Sequence, residues 1–282
     1  MALISPFESH SPVAEDGTKA VAQLAEVTDL SQQHIKQVMQ KGAVWLTNKQ
    51  GTRRLRRADK KLKKGDELHL YYDERVLASE VAEARLIADE GAYSIWFKPY
   101  GMLSQGSKWG DHCTINRWAE LHLKPQRPAF IVHRLDRAAS GLIIIAHQKK
   151  IASALAELFQ KRAIKKSYRV VVEGVFEPEE ARLHIDAEID GRPASSWVSL
   201  IELDSVQNRS LLEVEIGTGR KHQIRRHLAG IGWPVVGDRL YGQGDEKSEN
   251  LQLTAYSLSF CCPLSGGIRE YCLTNKHGTP DD

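Results

Sequence analysis

The chain has 282 residues, 41% of them hydrophobic, with 39 Lys/Arg against 36 Asp/Glu and a net charge of +3. That is enough for one sizeable core and a small extra module. No run of about 18 apolar residues occurs, so no membrane span is expected, and the start MALISPFESHSPVAEDG lacks the basic and apolar regions of a signal peptide. The four cysteines, Cys113, Cys261, Cys262 and Cys272, show no scaffold-like spacing, and a reduced, cytoplasmic compartment is expected.

Residues 1–15 are expected to be a flexible tail and 16–75 a small basic domain. Helices are predicted over 18–27 and 30–40; in the second, Ile35, Val38 and Met39 recur at helical spacing and Ser31 suits the N-cap. Lys41-Gly42 is a stop signal, and strands follow over 43–47 and 67–72. Between them lies a basic loop carrying Arg53, Arg54, Arg56, Arg57, Lys60, Lys61, Lys63 and Lys64. Residues 31–75 hold 12 Lys/Arg against 5 Asp/Glu, so the rest of the chain is net acidic. Such a concentration is the footprint of a polyanion-binding surface; a solvated basic face is the plainer reading. Stacking aromatics are sparse there, so recognition would rest on phosphates or folded RNA shape. Residues 76–90 are expected to be a linker.

From 91 to 275 a second domain is expected. It opens with WFKPYGMLS (96–104), where Pro99 sets the backbone after Lys98. The stretch FIVHRLDRAASGLIIIAH (130–147) places Asp136 between Arg134 and Arg137, in a turn flanked by two short apolar, strand-like runs. A carboxylate there is either a structural ion pair or a working group, and the triplet alone leaves both open. Residues 147–163 read as an amphipathic helix with Ile151, Leu155, Leu158 and Phe159 as its stripe. Tyr168 opens a Tyr-Arg-Val-Val-Val strand, and further strands are predicted over 183–189, 197–203, 211–216 and 251–260. After Gly217 and Gly219 the residues Arg220, Lys221, His222, Gln223, Arg225, Arg226 and His227 lead into a helix that Gly230 stops. Ile224 and Leu228 share its apolar face; Arg225 lies beside that face, where it could reach a buried carboxylate, and Arg226 points to solvent or a phosphate. His222 and His227 are spaced poorly for a shared metal, and no HExxH or paired CxxC appears, so no metal is expected. Strands outnumber helices and run together, which predicts an α+β fold with a mainly antiparallel sheet. Residues 242–250 read as an exposed loop, and the last residues, 276–282 within 274–282, as a loose tail.

Taken together, WFKPYGMLS, HRLDRAASG, KKSYRVVVEG, GTGRKHQIRRHL with PVVGDRLYG, and LQLTAYSLSFCCP resemble, in order, the motifs of the RluA-type RNA pseudouridine synthases. The resemblance spans roughly 93–272. It implies a central sheet with the site in a cleft across it, and isomerisation of uridine in RNA without any cofactor. It also implies Asp136 as nucleophile, Arg225 as its partner, Tyr168 near the target base, and Arg134 supporting an extruded nucleotide, since a stacked base cannot be reached. Lys98, Arg220, His222 and Gln223 fall in the matched motifs and are expected to bind substrate. Two positions depart from the family pattern: Ala139 where Thr is usual, and Thr254 where His is common. Residues 16–73 resemble the ribosomal-protein-S-four-type RNA-binding module, with TKAVAQLAE in place of the usual Arg-Leu-Asp opening. The expected partner is RNA, ribosomal ahead of transfer RNA, with no protein partner and a monomeric chain. The alternatives are a non-catalytic RNA-binding factor, and a carboxylate hydrolase that would need a second acid, for which Asp238 is the candidate.

Overall fold

A computed structural model describes residues 5–245 and 249–274. The chain divides into two units, one of Met1–Glu80 with Gln105–Trp118, the other of Val81–Ser104 with Ala119–Asp282.

The first unit runs β1 (Phe7–Pro12), α1 (Ala20–Val27), α2 (Gln32–Gln40), β2 (Val44–Asn48), β3 (Gly51–Arg54), β4 (Glu67–Tyr72) and the single turn α3 (Glu74–Leu77). The strands form an antiparallel sheet in the order β1-β4-β2-β3. Strict alternation fixes which face is inside: Leu68, Leu70 and Tyr72 are buried, while Glu67, His69 and Tyr71 lie on the other face. The buried face packs on Leu24 of α1 and on Ile35, Val38 and Met39 of α2. Ser31 caps α2 as its sequence suggests, accepting from His34 N at 3.2 Å. Gly42 ends the turn at φ +83°, where a Cβ would also collide with Asp111 Oδ1.

Three sequence expectations are corrected in this region. Residues 7–12 are not tail but β1, paired along its length with β4. The basic loop begins as β3, the return arm of a hairpin whose period-2 pattern is hidden by its charges. The expected linker 76–90 contains part of α3 and all of β5 (Arg85–Asp89). In addition, Gln105–Trp118 folds with the N-terminal unit rather than with the motifs that flank it.

The second unit continues from β5 through β6 (Tyr93–Lys98), α4 (Ile115–His122, whose first half belongs to the other unit), β7 (Phe130–Ile131), β8 (Ser140–Ala146), α5 (Lys149–Gln160), β9 (Lys165–Glu173), β10 (Leu183–Asp186), β11 (Ser195–Asp204), β12 (Arg209–Ile216), α6 (Gln223–Gly230), β13 (Leu253–Cys261) and β14 (Ile268–Cys272). Its ten-stranded sheet is ordered β10-β11-β12-β9-β13-β8-β6-β5, with β14 beside β13 and β7 beside β8. Among the described residues only the β13–β8 contact is parallel, so the fold is α+β and mainly antiparallel. That contact depends on Gly141: a Cβ there would stand 2.3 Å from Ala255 O. Beside it, Ser140 and Thr254 share a hydroxyl hydrogen bond of 2.9 Å, which gives the unusual Thr254 a structural partner. One core lies under α5, whose Ile151 and Leu155 meet Ile144 and Leu142; another lies under α6, whose Ile224 and Leu228 meet Val170, Val172 and Val214. The exposed loop expected at 242–250 is described only in part, and the tail 276–282 lies outside the described residues.

Candidate active site

Asp136 stands in the loop between β7 and β8, and that loop is laced to the Pro99–Ser104 turn. Ser104 Oγ donates to Leu135 O at 2.7 Å and accepts from Leu135 N at 2.9 Å. Gly101 N donates to Arg137 O at 2.8 Å, and Ala139 N closes a turn onto Asp136 O at 3.1 Å. The turn itself is braced from inside. Lys98 is fully buried, and its Nζ donates to Pro99 O at 3.0 Å and Met102 O at 2.8 Å. Burial pulls its amine down to about 7, against the opposing pull of the Asp136 charge. Lys98 was expected to bind substrate; a side chain with no exposed surface reaches the site only through the turn it supports.

Opposite the loop, α6 brings up Arg225. Its guanidinium grips Asp238 in a two-point contact, Nε to Oδ2 at 2.7 Å and Nη2 to Oδ1 at 2.6 Å. The third nitrogen, Nη1, stands 3.9 Å from Asp136 Oδ2. Asp238 is wholly buried and also accepts from Leu240 N and Tyr241 N at 2.9 and 3.1 Å. Burial pushes its carboxyl up, but Arg225 and those two N–H groups more than offset this and hold it below the usual range. Asp136 differs: among the described residues no group donates a hydrogen bond to its carboxylate, and its side chain is 32% exposed. Asp238 therefore cannot serve as the second acid of a hydrolase.

His222 precedes α6 in a left-handed conformation, φ +54°, an unfavourable backbone for a residue with a Cβ. There its Nε2 is 3.8 Å from Asp136 Oδ2 and its Nδ1 is 3.0 Å from the Tyr241 hydroxyl. Burial lowers its pKa against the Asp136 charge, with Arg225 and Lys221 adding to the lowering. Tyr168 is the fourth residue of β9, hydrogen-bonded on both sides by β12 and β13 rather than at a strand end. Burial, and then the Asp136 charge, push its phenol well above the ordinary value, so it keeps its proton.

Residues 132–136, Lys166, Tyr168 and 216–225 line a cleft of about 680 Å³. Arg134 and Arg220 both border it; Arg220 Nε is tied to Pro193 O at 3.1 Å. Gln223 reaches the cleft wall, but its amide is taken up internally by Thr218, the Arg220 N–H, Ser195 O and Ser196. It shapes the Gly217–Gly219 turn, and its expected substrate contact has no polar atom left to make it. Arg226 meets Asp190 at 2.9 Å. Two further residues were not singled out by sequence: Tyr241, whose ring lies under Arg225 and beside His222, and His133, held neutral at about 3 by burial while its Nε2 accepts from Ile144 N. His133 sits one residue from Arg134 in a charged-looking run, and nothing local distinguishes it from a working histidine.

The expected basic patch is divided. Arg54 donates to Gly42 O and Ser107 O, stacks over Trp45 at 4.3 Å, and lies 3.0 Å from Asp111. Arg56 donates both to Asp111 and to Gln40 O. These two arginines are structural. Arg53, Arg57, Lys61, Lys63 and Lys64 are exposed and Lys60 is half-buried.

A family model described as RNA pseudouridylate synthase matches residues 92–230. A dual-specificity RNA pseudouridine synthase RluA from Vibrio parahaemolyticus is 31% identical over 191 residues, 61% of this chain and 75% of the relative. An uncharacterized RNA pseudouridine synthase from Aquifex aeolicus is 28% identical over 269 residues, 84% of each chain. The human RNA pseudouridylate synthase domain containing 1 shares the fold, with a TM-score of 0.59 and 21% identity over 70% of this chain and 85% of that one.

Proposed function

Given that this chain belongs to the RluA-type family of RNA pseudouridine synthases, we propose that Asp136 is the nucleophile with which it isomerises uridine to pseudouridine in RNA. In that reaction the bond between N1 and the ribose C1′ breaks, C5 bonds to C1′, and a proton is lost from C5 as one is gained at N1. A carboxylate is needed to hold the sugar or the base between those two bonds. The observation that carries the assignment is a stoichiometry. Arg225 faces two carboxylates and gives its Nε and Nη2 donors to Asp238, so Asp136 lies within reach of positive charge yet, among the described residues, accepts no hydrogen bond on its carboxylate. It is open to the cleft.

The other roles follow from the same geometry. Arg225 anchors the site and offers Nη1 to charge that develops near Asp136. Tyr168, a neutral phenol, packs against the target base and offers its O–H as a hydrogen-bond donor rather than acting as a base. Arg134, exposed at the cleft rim, takes the place of the extruded nucleotide or holds its phosphate. The N-terminal unit binds RNA backbone through Arg53, Arg57, Lys60, Lys61, Lys63 and Lys64, in the manner of the ribosomal-protein-S-four-type module. Ribosomal RNA is the proposed target. The name dual-specificity carried by two Vibrio relatives favours a second reading in which transfer RNA is also a substrate.

Asp136→Asn is the direct test. Release of tritium from C5-labelled uridine in transcribed RNA should fall by roughly 10⁴-fold or more, the scale of nucleophile losses elsewhere, while RNA affinity is kept. Wild-type turnover by the variant would overturn the assignment. Mapping pseudouridines in ribosomal and transfer RNA from cells lacking the gene separates the two targets.

A further inference from the structure

On the face of the N-terminal sheet away from its core, strand pairing sets His10 of β1 directly opposite His69 of β4. The two rings meet through like atoms, Nδ1 to Nδ1 at 2.8 Å. Their other nitrogens are separately provided for. Nε2 of His69 is 2.7 Å from the Thr47 hydroxyl, which is itself 2.7 Å from that of Thr52. Nε2 of His10 faces the Glu8 carboxylate at 3.8 Å. Glu67, two residues before His69 and so on the same face, brings a carboxylate oxygen to 3.9 Å from His69 Nε2, and one atom from each of His10, Glu67 and His69 lies within 4.8 Å of the other two.

We propose that His10, Glu67 and His69 form a binding site for a divalent transition-metal ion of the zinc class, coordinated by the two Nδ1 atoms and the Glu67 carboxylate. Imidazole nitrogen with one carboxylate is a donor set suited to zinc, cobalt or nickel and poorly suited to magnesium or calcium. His69 has the outer contact of a ligating histidine, its Nε2 within hydrogen-bond distance of the Thr47 hydroxyl, and release of the proton shared between the two Nδ1 atoms would leave both lone pairs for the ion. Zinc–nitrogen bonds of about 2.0–2.1 Å in a tetrahedron place two nitrogens ~3.3 Å apart. The pair must therefore open by roughly half an ångström, a small swing for His10, whose side chain is 47% exposed. Glu67 and Glu8 supply two negative charges, although Glu8 shares its own with Lys108. Bound at this site, the ion would cross-link the edge strand β1 to β4.

The test is a titration of the metal-stripped full-length chain with Co²⁺, followed by visible absorption. One Co²⁺ per chain should bind with the intense bands of a tetrahedral site, be displaced by Zn²⁺, and vanish in His69→Gln and in His10→Asn. His10 lies on an exposed edge strand, so its variant should melt as wild type does without metal, and Zn²⁺ should raise the wild-type Tm alone. Thr47→Val, which removes only an outer contact, should keep the bands with affinity lowered roughly 10–100-fold. Absence of tetrahedral bands in wild type, or bands undiminished in His10→Asn, overturns the site.

Discussion

The molecule contains two clusters of arginine and aspartate with inverted proportions. In the cleft one guanidinium, Arg225, faces two carboxylates, Asp238 and Asp136. In the N-terminal unit one carboxylate, Asp111, faces two guanidiniums, Arg54 and Arg56. The surplus charge is what differs. The cleft is left with a carboxylate that, among the described residues, nothing hydrogen-bonds, on a loop clamped through Ser104 and Gly101. The N-terminal cluster is left with cations turned inward onto carbonyls of Gln40, Gly42 and Ser107. A count of charges therefore says little about which of them face a ligand; the ratio within each buried cluster says more.

The largest effect should come from breaking the cleft cluster at its closed end. Asp238→Ala leaves Arg225 buried without its partner, and the loss of stability should be about 3–5 kcal/mol, read by thermal or urea unfolding. Turnover should fall with it, because Arg225 loses its aim. Adding Arg225→Met should restore much of the stability and none of the turnover. A single variant that unfolds like wild type would mean that the two-point contact carries no weight.

Lys98 sharpens the comparison, since it is a buried cation held by carbonyls alone. Its pKa falls from 10.5 to about 7 because burial disfavours the ammonium. Between those values the unfolded chain binds a proton that the folded chain does not, so stability rises with pH across that window; below pH 7 the full penalty of charging the amine is present. Measured as wild type minus Lys98→Met, unfolding free energy should climb by about 2–4 kcal/mol from pH 7 to pH 10. A flat difference would show that Lys98 is charged and compensated throughout.

The sequence carried the cleft far better than the N-terminal unit, for physical reasons. Strands β8, β12 and β13 are apolar and buried, so their periods are plain, and the motifs around Asp136 and Arg225 fall on or beside them. What sequence could not supply was partnership. Asp238 lies 13 residues beyond Arg225, across a turn, and only folding makes it the two-point acceptor. Lys98 reads as a substrate contact until its ammonium is seen to donate to the carbonyls of Pro99 and Met102. In the N-terminal unit β3 was hidden because three of its four residues are exposed, and β1 because FESHSP has a weak pattern that only β4 stabilises. Asp111 lies some fifty residues from the arginines it claims, beyond the reach of any local signal.

The division of the basic patch gives the smallest effects and the sharpest contrast. Arg56 has Asp111 and Gln40 O as partners; Arg57, its neighbour, has only a 3.6 Å approach to Asp59, both side chains being more than two-thirds exposed. Arg56→Ala should lower stability by roughly 1–3 kcal/mol, through the charged hydrogen bonds left unmade, with little change in the salt dependence of RNA binding. Arg57→Ala should leave stability within about 0.5 kcal/mol and reduce the slope of log affinity against log salt by about 0.7–0.9, one phosphate contact. Deleting the basic segment outright would blur this distinction, because it also strips Asp111 of both arginines and exposes Gln105–Trp118, which fold against them. The paired point variants separate a cation that holds the unit together from one that faces RNA, and equal salt slopes in both would erase that distinction.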